Sequence, residues 1–151
     1  MKTLNPIRAD IIALDAQDRP VLLIEVKARP QENIYDRQQL VDDLREAGPV
    51  LPYAMLVTLE NIRIFRWDGA ALSELLYLPT ADALSFYDPE FREKPIYGYY
   101  LIRLVETWLR DVAYHWKSEI PPFFEELTQI GLTERIKDGN TRNEDALDRP
   151  W

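Results

Sequence analysis

The order of elements along the chain predicts an α+β domain of the mixed α/β kind, a central sheet flanked by helices. Three observations carry this: two short strand-like runs joined by a polar turn, a helical stretch behind them, and a further set of strands leading into a long amphipathic helix. RADIIALD (8–15) and VLLIEVKA (21–28), joined by AQDRP, form a hairpin pattern. NIYDRQQLVDDLREAG (33–48) has an apolar stripe of Ile34, Val41 and Leu44, Asp36 in its first turn, and Gly48-Pro49 to stop it. PYAMLVTL (52–59), IRIFRW (62–67) and LSELLYL (72–78) follow, with turn signals at Glu60-Asn61 and Asp68-Gly69, which predicts a meander. Residues 79–95 are rich in Pro, Asp and Tyr and predict an irregular connection. A helix over about 96–117 carries Leu101, Leu104, Val105, Trp108, Leu109 and Val112 on one face. Pro121-Pro122 ends that stretch, and FFEELTQIGL (123–132) predicts a short last helix. The pattern therefore predicts one domain over 1–138, with a sheet core at 8–78 and a C-terminal helical extension at 96–132. A charged tail over 139–151 completes the chain.

Composition narrows the function classes. Of 151 residues, 46% are hydrophobic, enough for a single core, and 29% are charged, which excludes both a membrane protein and a low-complexity disordered chain. No apolar run approaches the length of a membrane span, and MKTLNPIRAD has no apolar signal-peptide core, so a cytoplasmic location and no membrane partner are expected. Without cysteine there is neither a disulfide framework nor a thiolate metal site. One histidine, His115, is too few for a zinc site or a histidine triad, and it reads as structural. No glycine-rich phosphate loop is present, which excludes a nucleotide hydrolase at motif level. A net charge of -8 argues against non-specific coating of nucleic acid but leaves room for a local basic groove.

The chemistry concentrates in LLIEVKA (22–28). Alternation places Val21, Leu23, Glu25 and Lys27 on one face, and Leu22, Ile24, Val26 and Ala28 on the other, toward the core. Asp10 shares a face with Ile12 and Leu14, and a hairpin turning around Asp18 brings it within reach of Glu25. Two converging carboxylates suit a hard divalent cation such as Mg²⁺, with the Val26 main-chain carbonyl as a further ligand. A lysine beside them orients a water or stabilises charge developing on a phosphate. The helix 33–47 is expected on the opposite face of the sheet. Arg29, Arg63 and Arg66 are the candidate nucleic-acid contacts. Arg63 and Arg66 alternate with apolar residues, so they either line a phosphate groove or form the wet side of a strand.

The pattern Asp10…Glu25-Val26-Lys27, on adjacent strands followed by a helix, resembles the PD-(D/E)xK nuclease superfamily. RADIIALDAQDRPVLLIEVKA followed by PYAMLVTLENIRIFRWDG resembles, more narrowly, the N-terminal nuclease domain of type I restriction enzyme R subunits and its stand-alone relatives. The resemblance covers about residues 8–70. It implies a restriction-endonuclease-like central sheet and Mg²⁺- or Mn²⁺-dependent hydrolysis of DNA phosphodiester bonds. Asp10 and Glu25 would be the metal ligands and Lys27 the catalytic lysine. It also implies a helix, often bearing a glutamate, and a strand before the Asp strand; here Asp10 is too near the start to accommodate them. The related domains tend to carry a Gln with a Tyr four residues later in the following helix. Here Gln38 and Gln39 are followed at that distance by Asp42 and Asp43, with Gln38 expected to face the site and Gln39 solvent.

Two function classes follow: a metal-dependent endonuclease of the restriction or defence type, and a non-catalytic nuclease-fold module for subunit assembly or for binding nucleic acid or a partner. An E-x-K pair on a strand is commonly only an ion pair or solvated. The aromatic residues Tyr97, Tyr99, Tyr100, Trp108, Tyr114 and Trp116 fit core or dimer packing better than base stacking. With no preceding helix to cover the flank of the sheet, the 96–117 helix is the element expected to do so, or to form a homodimer.

Overall fold

A computed structural model describes residues 7–143. The elements are β1 (Ile11–Leu14), β2 (Pro20–Val26), α1 (Ile34–Glu46), β3 (Tyr53–Val57), β4 (Asn61–Trp67), β5 (Leu72–Pro79), α2 (Thr80–Leu84), α3 (Gly98–Tyr114), α4 (Phe124–Gln129), α5 (Leu132–Ile136) and β6 (Asn140–Asn143). They form a mixed α+β fold around one six-stranded sheet, ordered β5, β4, β3, β2, β1, β6. Only β2 and β3 pair in parallel, joined through α1; every other neighbour is antiparallel. The predicted hairpin and meander both form. Asp15 closes the hairpin turn, its carboxylate accepting from the Gln17 and Arg19 amides at 2.9 Å each.

Both faces of the sheet are covered. On one, Ile11, Ala13, Leu22, Ile24, Val26, Met55 and Val57 pack with α3, whose Leu101, Leu104, Val105, Trp108, Leu109 and Val112 are all buried. The Leu101–Val112 stripe of α3 is thus buried against the chain's own sheet. Trp116 also turns back, its ring nitrogen donating to the Thr107 carbonyl at 3.0 Å. On the other face, Ile12, Leu14, Leu23, Ala54, Leu56, Phe65 and Trp67 pack with Leu40 and Leu44 of α1. Because α1 is the crossover between parallel strands, it lies flat on one face. That face is the one bearing Leu23 and Glu25, not the opposite one. The inward stripe is Asp36, Leu40, Asp43 and Leu44, whereas Ile34 is 83% exposed. A capping box sets this phase: the Asn33 side chain accepts from the Tyr35 amide, and the Asp36 carboxylate from the Asn33 amide, both at 2.9 Å.

Three segments differ from expectation. The single last helix expected over 123–132 is two, α4 and α5, parted at Gly131, whose φ of 84° lies in the left-handed region. The 79–95 connection contains α2 and a 3₁₀ turn at Phe91–Glu93. In the stretch expected to be tail, Asn140–Asn143 form edge strand β6 against β1; positions 144–151 lie outside the described residues. NTRN has no apolar alternation, and side-chain polarity holds it instead. Glu106 of α3 accepts from Thr141 Oγ1 at 2.7 Å, Asn143 Nδ2 at 3.0 Å and Arg110 Nη2 at 3.3 Å. Gly139 makes the approach sterically open, since a Cβ there would lie 1.8 Å from the Leu14 carbonyl oxygen. Glu106→Ala is expected to cost roughly 2–3 kcal/mol, by removing the shared acceptor of a buried network. Urea denaturation and faster amide exchange over 140–143 check this. An unchanged denaturation midpoint would mean that the backbone ladder alone holds β6.

Candidate active site

Strand register assembles the site. One step beyond the Ile11–Ile24 pair, Asp10 stands opposite Glu25, and the cross-strand row continues from Glu25 to Leu56, Arg63 and Tyr77. Directly opposed positions bring their Cβ atoms to roughly 5 Å, so the two side chains start side by side on one face. Asp10 Oδ2 accepts from the Val26 amide at 2.6 Å. The N–H and C=O of a strand residue point to the same edge, so the Val26 carbonyl is turned to the Asp10 side as well. Lys27 extends the parallel ladder, its amide donating to the Val57 carbonyl at 2.8 Å, and alternation keeps its side chain on the Glu25 face.

Helix α1 closes over this pair. Asp43 stands beside the Glu25 carboxyl and contributes to raising it, and Lys27 Nζ donates to Gln39 Oε1 at 2.9 Å. Gln39 and Asp43 are one turn apart, hence on the same face of α1. Gln38, expected to face the site, instead points outward and donates to Asp42 at 2.9 Å. The reversal follows from the phase of the helix: with Leu40 and Leu44 buried and Ile34 outside, the inward face lies about 100° further round than a stripe through Ile34 suggests. Asp36 to Leu40 to Asp43-Leu44 was the signal that locates Gln39 and Asp43.

Glu25 differs electrostatically from the buried Asp88 and Asp111. It is only 3% exposed. Burial, the Asp43 carboxyl beside it and the charge of Asp10 push its carboxyl up to about 10, against the pull of the Lys27 ammonium. Its Oε1 is the one buried side-chain polar atom without a hydrogen-bond partner among the described residues. Asp88 and Asp111 show the contrast. Asp88 accepts from Tyr100, Lys94 and the Glu90 amide. Asp111 accepts from Tyr87, the Ser118 hydroxyl and the amides of Lys117 and Ser118, and these outweigh its burial and hold its carboxyl below the ordinary range.

No family model matches the chain, and neither a curated protein nor a solved structure matches it.

Among the described residues no group of three or more His, Cys, Asp or Glu side chains is arranged to hold a metal ion. The residues that do converge fit a smaller demand: two opposed carboxylates and a main-chain carbonyl, the oxygen donors Mg²⁺ takes when water and phosphate complete its shell. Glu25, with one carboxyl oxygen unpartnered and its carboxyl raised by burial and by the Asp10 and Asp43 charges, is where such a cation would relieve an electrostatic cost. The three arginines are engaged elsewhere. Arg29 pairs with Asp36, and Arg63 pairs with Glu32 at 2.6 Å and Glu74 at 2.5 Å. Arg66 lies over the Tyr53 ring on the α3 face, away from Glu25.

Proposed function

We propose that the chain is a Mg²⁺- or Mn²⁺-dependent phosphodiesterase of the PD-(D/E)xK type acting on DNA. What carries the assignment is the buried Glu25, one carboxyl oxygen of which has no hydrogen-bond partner, standing opposite Asp10 across the strand pair with Lys27 on the same face. Asp10, Glu25 and the Val26 carbonyl would hold the cation, which when bound neutralises charge on the phosphate. The chain's own residues do the rest. Lys27 presents an ammonium to the oxyanion that develops as water attacks phosphorus and one P–O ester bond breaks. Gln39 fixes that ammonium, and Asp43 stands beside the Glu25 carboxyl. Core packing of α1 through Leu40 and Leu44 excludes bulk water from the Glu25 side.

Conversion of supercoiled plasmid to nicked or linear forms, titrated with Mg²⁺ and Mn²⁺, tests the proposal. Metal-dependent conversion that stops with EDTA and is lost in Asp10→Asn is the expected result. A specific observation favours a second class, a non-catalytic nuclease-fold module: Lys27 already has a partner on α1, and Asp43 of α1 stands beside Glu25. Wild-type protein inert at every metal concentration would leave that class standing.

A further inference from the structure

A cavity of about 300 Å³ opens at the carboxyl ends of the parallel pair β2 and β3, where the chain leaves Lys27 for α1. Its rim is tied to that stretch: the Leu59 amide donates to the Arg29 carbonyl at 2.9 Å, and the Glu60 amide to the Pro30 carbonyl at 3.3 Å. Arg63, on its wall, stands in the same cross-strand row as Glu25, with Leu56 between. Two strand spacings make that roughly 10 Å. The cavity therefore adjoins the candidate site without being part of it.

Its chemistry is unlike that of a phosphate pocket. The Arg63 guanidinium is held by Glu32 and Glu74 and lies over the rings of Phe65 and Tyr77, at 5.4 and 5.9 Å from their centroids. With its charge balanced and Glu60 on the rim, the lining is acidic overall, which disfavours an anion. What remains is Tyr77, a residue 57% exposed, and the side-chain amides of Gln31 and Asn61. Each amide offers donors and an acceptor in one plane. A flat, uncharged ligand with donors and acceptors along its edge matches such walls: it stacks on the tyrosine and is read by the amides.

We propose that this cavity receives one unstacked nucleobase of the strand whose phosphate lies at Asp10, Glu25 and Lys27. The placement beside a phosphate rests on the nuclease assignment; the base recognition stands by itself. Paired amide donors and acceptors favour adenine, whose edge takes both from one carboxamide.

The probes are deoxyadenosine, deoxycytidine, thymidine and ribose 5-phosphate, titrated into the full chain in EDTA and followed by ¹H–¹⁵N spectra. Saturable shifts at Gln31, Thr58, Asn61, Arg63 and Tyr77 are expected from the nucleosides, strongest with deoxyadenosine, and none from ribose 5-phosphate. Tyr77→Ala is expected to weaken binding at least about fivefold, the lower end of what losing one aromatic stack costs. Gln31→Ala, on an exposed loop, gives a second variant that spares the sheet. Nucleoside shifts absent from this cavity, or unchanged in both variants, overturn the proposal. Binding that persists in a wild-type protein inert toward plasmid upholds the cavity and removes the nuclease assignment. Cleavage without nucleoside binding does the reverse.

Discussion

Lys27→Ala is expected to lower Mg²⁺-dependent plasmid cleavage by about 10²–10⁴-fold, the range a positioned proton-transfer or oxyanion-stabilising group supplies. Stability should change little. Lys27 is half-buried, its side chain makes one hydrogen bond, to the exposed Gln39, and water can replace the ammonium there. Lys27→Arg should not restore activity, because a planar guanidinium cannot reproduce a compact ammonium held by a single amide oxygen. Gln39→Ala should act more weakly on the rate, since it releases the lysine without removing it. Rates measured under single-turnover conditions, with melting temperatures alongside, separate the cases. Cleavage by Lys27→Ala at the wild-type rate would remove the lysine from the chemistry.

The second large effect concerns Glu25→Gln and runs in the opposite direction. In metal-free protein, the Glu25 carboxyl is pushed up to about 10 by burial, the Asp43 carboxyl beside it and the Asp10 charge. An acid raised on folding keeps its proton in the native state while the unfolded chain ionises above about 4.5. The native state then binds more protons, and stability falls as pH rises through the window from about 4.5 to 10. At neutral pH the cost is roughly 3 kcal/mol. A glutamine carries no charge to suppress and can donate to Asp43. Glu25→Gln is therefore expected to melt roughly 5–10 °C above wild type near pH 8 in EDTA, with a flatter profile between about pH 5 and 9. Excess Mg²⁺ should raise the wild-type melting temperature by mass action and leave the variant unmoved. An equal Mg²⁺ shift in both proteins would place the ion elsewhere.

These two outcomes turn on features of different legibility. The shared face of Glu25 and Lys27 was readable from alternation, but the opposition of Asp10 and Glu25 rests on a register shift between Ala13 and Leu14, without which Asp10 would stand opposite Ile24. The burial of Glu25 was not readable, because hydrophobic period within β2 says which residues share a face but not which face a crossover helix will cover. Likewise Gln39 and Asp43 were hidden by Ile34, an apolar residue that the capping box holds out in solvent.

By itself the sequence determined the hairpin, the helix behind it, the meander, the long amphipathic helix and their order, and it singled out Asp10, Glu25 and Lys27 as candidates. These rest on local periodicity, caps and turn residues, whose physics acts within a few residues. Only the tertiary structure decided that α1 buries Glu25 beside Asp43, that α3 covers its own sheet, and that Asn140–Asn143 close the β1 edge through Glu106. Each of these depends on contacts between distant segments, among them a polar network in place of an apolar stripe, and such contacts leave no period in the chain to read.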